Sequence, residues 1–193
     1  MIKQTCIFLT MFLLLLSGLS SSVIAGDGIS AGARFMAGGR YDNLRMCVGS
    51  DAGVKGGPMA DIQLAVKYAP SREYAVSFHL PVMRPVLFWT AFDMLQFEPE
   101  FTFEYRKPIS GTTSFTTGPG LGVSLHHGPG YESDLDNRGE DFFAAGPYIS
   151  YMCGIVFESG NVLGLRAIYV PLFSEEHSRG TVLGAALEYT VFF

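Results

Sequence analysis

Charge is scarce in this sequence: Asp, Glu, Lys and Arg make up 16% of 193 residues, and the balance is −5. A net acidic chain with no basic cluster does not fit a nucleic-acid partner. Cysteine is scarcer, three in all, with no Cys/His cluster spaced for zinc. Two of the three, Cys47 and Cys153, lie beyond the leader described below, either as a disulfide or as two free thiols. Their expected positions, an outer loop and a lipid-facing strand, are poor geometry for a bridge. Also missing beyond residue 25 is any apolar run approaching the ~20 residues of a spanning helix. Yet hydrophobic residues make up 48% of the chain. A chain that is oily without helical spans must hide its apolar side chains by alternation.

The first 25 residues read as an export signal. Lys3 is the only charge before Asp27, Ile7 to Leu16 is an apolar core, and Val23-Ile24-Ala25 suits cleavage after Ala25. Cys6 precedes the apolar core, which disfavours a lipoprotein. A retained membrane helix is the competing reading, and its apolar run is short for a ~30 Å hydrocarbon core. Residues 1–25 are therefore expected to be a signal peptide and residues 26–193 one domain.

Period-2 alternation divides that domain into eight segments. They run about Ile29 to Tyr41, Ala60 to Tyr68, Glu73 to Val82, Glu98 to Arg106, Ser114 to His126, Phe143 to Phe157, Leu163 to Tyr169 and Thr181 to Phe193. In one register every charge in them falls on a single face: Arg34, Asp61, Lys67, Glu73, Glu100, Glu104, Arg106, Arg166 and Glu188 in particular. The other face is apolar. One Lys or Arg on a lipid face near the midplane costs about 2–4 kcal/mol, so this division is what a transmembrane barrel requires. A two-sheet sandwich with one dry face per sheet alternates similarly and is the soluble alternative. Connections alternate strictly between short (69–72, 107–113, 159–162) and long (42–59, 83–97, 127–141, 171–180), as for tight periplasmic turns and longer outer loops. Aromatics gather at the short-turn ends: Tyr68, Tyr74, Tyr105, Phe115, Phe157, Tyr189 and Phe193 form an expected interfacial girdle. Pro119 and Pro147 sit inside strands, and bulges or a local kink are expected to accommodate them.

The expected fold is therefore all-β, an eight-stranded antiparallel up-and-down transmembrane barrel. With the terminal pattern Leu187, Tyr189, Val191 and Phe193, the chain resembles the small eight-stranded bacterial outer-membrane proteins, the groups typified by outer-membrane proteins W, X and A. The resemblance implies outer-membrane location, contact with outer-membrane lipid and lipopolysaccharide, and recognition of those four terminal residues by the assembly machinery. It also implies one of three activities: binding or passing a small hydrophobic molecule, adhesion through the outer loops, or lipid A modification.

Catalytic signals are weak. Lipid A deacylases of this type carry His-x-Ser-Asn, which is absent; Ser124-x-His126 has the right residues in reverse order, both facing inward. Palmitoyl-transfer barrels begin with an amphipathic helix, and only Gly26, Asp27 and Gly28 precede the first strand here. Within Glu132 to Asp141 the start of a calcium loop is echoed, but Arg138 stands at a ligand position and no Glu stands at the twelfth. Gly118, Gly120 and Gly122 precede no helix and form no phosphate loop; facing inward, they are expected to make room for large side chains from opposing strands. No enzymatic activity, cofactor or metal is expected. The inward charges predict a plugged interior. For a hydrophobic ligand at the outer mouth, the oily segment supplies the candidates Phe88, Trp89, Phe92, Met94, Leu95 and Phe97; the same segment could instead pack on the barrel rim or dip into the outer leaflet.

Overall fold

The computed structural model describes residues 28–43, 55–84, 95–131, 138–174 and 180–193. Alternating β-branched, aromatic and small residues form nine strands: β1 (Ile29–Asp42), β2 (Gly56–Tyr68), β3 (Tyr74–Pro81), β4 (Leu95–Phe97), β5 (Glu100–Ser110), β6 (Thr113–Tyr131), β7 (Arg138–Phe157), β8 (Val162–Leu172) and β9 (Gly180–Phe192). Every pairing is antiparallel, and β1 pairs with both β2 and β9, so the sheet closes on itself. Nine segments make eight walls. Both β4 and β5 lie against β6 in one unbroken register, Phe97 opposite Leu125 and Glu100 opposite Gly122. Pro99, which has no N–H to give, interrupts the ladder between them, although its carbonyl still accepts the Val123 N–H at 3.3 Å.

The alternation resolves the two faces as expected. Even-numbered residues of β1 and β4 to β9, and odd-numbered residues of β2 and β3, point inward. Outward stand large apolar side chains such as Leu64, Phe101, Leu121, Leu165 and Leu187, each about half exposed. Among the described residues no second sheet covers them, and the one sheet closes on itself, which removes the sandwich alternative. Tyr68, Tyr74, Tyr105, Phe115, Phe157, Tyr189 and Phe193 are exposed at the short-turn end, with the Tyr74 and Tyr105 rings 5.5 Å apart. Cys153 is exposed on the outer face; Cys47 lies outside the described residues.

The prolines correct one expectation. Register is the same on both sides of Pro119 in its ladders with β5 and β7, so no residue is inserted; the β5–β6 ladder simply skips from Thr102–Gly120 to Tyr105–Thr117. Pro147 falls opposite Pro171 in the frame set by Ile149–Tyr169 and Ala145–Phe173. Two residues that cannot donate thus share one ladder position, and the loss is confined to it. The inward glycines of β6 also differ from expectation. A Cβ at Gly118 would overlap the Phe103 carbonyl, and one at Gly122 the Pro99 carbonyl. These glycines admit the backbone of the neighbouring strand, letting the wall bend tightly. At Gly120 the space is taken by Glu100 and Ser150 from adjacent strands.

Candidate functional site in the barrel interior

The interior is stacked in layers. Among the described residues, six buried cations (Arg34, Arg40, Lys67, Arg84, Arg106, Arg166) face six buried anions (Asp42, Asp61, Glu98, Glu100, Glu104, Glu188). Equal numbers matter, because an unpaired charge in a low-dielectric interior costs several kcal/mol.

The middle layer centres on Glu100. Its carboxylate accepts from Arg34 at 2.6 Å, from Arg166 at 2.6 Å and from Ser150. Arg166 Nε also donates to Glu188 at 2.5 Å, and Arg34 Nε donates to Gln63 at 3.0 Å. Six strands are thereby tied across the lumen. Toward the short turns, Arg106 donates to Glu104 and Ser77 donates to the same carboxylate at 2.9 Å. Lys67 reaches the Gly160 carbonyl at 3.3 Å and stands 3.6 Å from the centre of the Phe192 ring. Met152, Val156 and Val162, with Phe192 against them, fill the lumen at that end.

Nearer the long loops, Glu98 is the hub. Arg40 forks onto both of its oxygens at 2.9 and 2.6 Å, and Arg84 donates to it from just beyond β3. Arg84 also lies 3.2 Å from Asp61. Ser124 Oγ donates to Glu98 at 2.7 Å and lies 2.8 Å from His126 Nε2, while His126 Nδ1 is 4.0 Å from Asp42. The serine proton is thus directed to a carboxylate inside the barrel, away from the lipid-facing surface where acyl chains of the membrane would be met.

Beside this polar cluster the wall is apolar. Met36, Met59, Phe142, Ala144, Tyr148, Ile168, Val170, Leu172, Val182 and Ala186, from β1, β2, β7, β8 and β9, pack as one buried cluster on the long-loop half of the lumen. The upper interior is therefore two-faced, ionic along β4 to β6 and at Arg40 and Asp42 of β1, and apolar along β7, β8, β9 and at Met36 of β1.

Of the interior charges read from sequence, Arg34, Asp61, Lys67, Glu100, Glu104, Arg106, Arg166 and Glu188 lie inside. Glu73 does not: it follows the inward phase but falls in the β2–β3 turn, past the last ladder rung, where its side chain is exposed. The mouth candidates Phe88, Trp89, Phe92 and Met94 lie outside the described residues. Leu95 and Phe97 are corrected: they continue the outward phase of Phe101 and Phe103 through Pro99, so they lie half-buried on the outer wall and do not face the lumen. Sequence reasoning missed Glu98 and Arg84 as partners and the inward apolar cluster altogether. The signal was present in Tyr169-Val170 and Val182-Leu183, where both phases are apolar.

A closed eight-stranded barrel, greasy outside and ionic within, defines an outer-membrane-type β-barrel. Among solved structures the chain is similar to Neisserial surface protein A, with a TM-score of 0.54 at 12% identity over 86% of this chain and 98% of that one. It also aligns with Ail, the attachment invasion locus protein of Yersinia pestis, with a TM-score of 0.44 at 14% identity over 86% of this chain and 99% of that one. These likenesses concern the fold. No protein-family model and no curated protein matches the sequence.

Proposed function

We propose that this chain is exported through a leader cleaved after Ala25, enters the bacterial outer membrane, and there binds a small hydrophobic molecule at its long-loop end without enzymatic chemistry. The observation that carries this reading is the apolar half of the upper lumen, from Met36 to Val182, standing above an ionic floor. In a barrel whose interior is otherwise charged, this apolar wall gives a small hydrophobic molecule a surface against which to be buried. The floor favours binding over passage, since the Arg34, Glu100, Arg166 and Glu188 pairs cross the lumen below. In this reading outer-membrane lipid and lipopolysaccharide surround the outer wall, and the assembly machinery takes up Leu187, Tyr189, Val191 and Phe193.

Protein reconstituted in lipid nanodiscs tests it. A fluorescent naphthylamine should bind saturably and alter emission of the chain's single tryptophan, Trp89, while planar bilayers holding the protein should show no porin-sized conductance. Absence of saturable binding would sink the reading. The second reading, adhesion through the outer loops, draws support from the same closed floor, which leaves the loop end as the working surface. It predicts that trimming the four long loops removes surface binding and leaves solute permeability unchanged. Lipid A modification has the least support, since Ser124 is bonded to Glu98 inside the barrel. Lipid A mass spectra should be unchanged on expression.

A further inference from the structure

We infer that the bound molecule is an amphipathic one with a single hydrogen-bonding head, held head-down by the Tyr148 hydroxyl; this rests on the mouth-binding reading above. Tyr148 is 1% exposed and belongs to the apolar cluster by its ring. Register sets Tyr148 opposite Gly122 and Gly122 opposite Glu100, which is the level of the charged layer, and Glu98, Glu100, Arg34, Arg166 and Arg84 act on it electrostatically. Surrounded by strong donors and acceptors, its hydroxyl has no hydrogen-bond partner among the described residues. Buried tyrosine hydroxyls almost always find a partner. This one stands at the boundary between the apolar wall and the ionic floor, and it can both donate and accept.

The wall above it suits a short apolar body. Met36, Met59, Phe142, Ile168, Val170 and Val182 present no polar atom, so they hold a tail by burial alone and contribute no orientation. Orientation must come from a polar group at their base, and within this cluster the Tyr148 hydroxyl supplies it. Two of the six are methionines, unbranched and among the side chains most easily displaced, and they come from β1 and β2, facing the stiffer Ile168, Val170 and Val182 of β8 and β9. A ligand enters by turning Met36 and Met59 aside. The class that fits is a small aromatic or aliphatic molecule bearing one hydroxyl or carbonyl. A charged head would disturb the matched cations and anions beneath.

The experiment compares 1-naphthol with naphthalene, the same rings with and without a hydroxyl, on the full-length mature protein in nanodiscs. Wild type should bind naphthol about fivefold more tightly than naphthalene, the ratio expected of one net hydrogen bond. Tyr148→Phe should bring the two probes to equal affinity. Met59→Val, which stiffens the wall without adding polarity, should weaken both probes together; Val at this site is smaller than Met, so unchanged or tighter binding of both would refute the methionine route. Heat-modifiable gel mobility confirms that each variant is folded. Equal binding of both probes by wild type, or a preference that survives Tyr148→Phe, overturns the assignment to Tyr148 and leaves mouth binding standing. Failure of wild type to bind either probe overturns both.

Discussion

Glu100 concentrates the energetics of the lumen in one side chain. It takes hydrogen bonds from two guanidiniums and a hydroxyl on three other strands, and all of these groups are sealed from water. Removing one member of a buried ion pair costs about 3–5 kcal/mol, because the remaining charge is left without compensation. Glu100→Gln leaves Arg34 and Arg166 both short of a partner, so urea unfolding in lipid should show a loss of that size. Removing Arg166 and Glu188 together, as Arg166→Met with Glu188→Leu, takes away a matched pair and should cost less than either single change. Steric demands are equally local. Gly118→Val would drive a side chain into the Phe103 carbonyl and should prevent folding or lower the unfolding midpoint sharply. At Gly39 a Cβ meets nothing within 4 Å, and Gly39→Ala should leave the midpoint unchanged.

At the scale of elements, the β7–β8 turn does more than reverse the chain. Gly160, at φ +81°, supplies the left-handed residue that a three-residue hairpin loop requires. Its N–H is given to the Phe157 carbonyl at 2.8 Å, and Asn161 Oδ1 then accepts the Phe192 N–H at 3.1 Å, holding the end of β9. Asn161→Ala should cost about 1 kcal/mol, the usual net value of one hydrogen bond, and speed amide exchange at Phe192 more than in mid-strand. Elements of this kind show what the sequence could and could not reveal. Strand phase was legible because a lipid-exposed wall permits no charge, and that rule fixed the direction of Arg34, Asp61, Arg106 and Arg166 from identity alone. The same rule has nothing to say about apolar residues on the inward phase, so Met36, Ile168 and Val170 passed unnoticed. Nor does alternation say where a ladder ends, so it cannot tell Glu73, in a turn, from the inward residues of β3, or Leu95 and Phe97 of β4 from a loop. The partnership of Glu98 with Arg84 and Arg40 joins residues far apart in the chain, and only closure of the barrel brings them together.

The whole molecule is governed by one division, apolar outside and ionic inside, and its energy depends on depth in the bilayer. Leu165 is 61% exposed on the outer face of β8, seven residues before its end; Phe173, just beyond that strand, is 55% exposed. Both are large and apolar, both point away from the lumen, and a water-soluble barrel would tolerate Arg at either. In a bilayer the two should differ. Arg near the midplane of a lipid-facing wall costs about 2–4 kcal/mol, falling to about 0–1 near the interface where the side chain reaches the headgroups. Leu165→Arg should therefore lower folding stability in lipid vesicles by several times as much as Phe173→Arg. In urea titrations the gap should appear as a shift of midpoint with unchanged slope, since neither substitution alters the surface exposed on unfolding. Equal, small effects at both positions would mean that the outer wall does not face hydrocarbon, and with it would go the membrane reading of the entire chain.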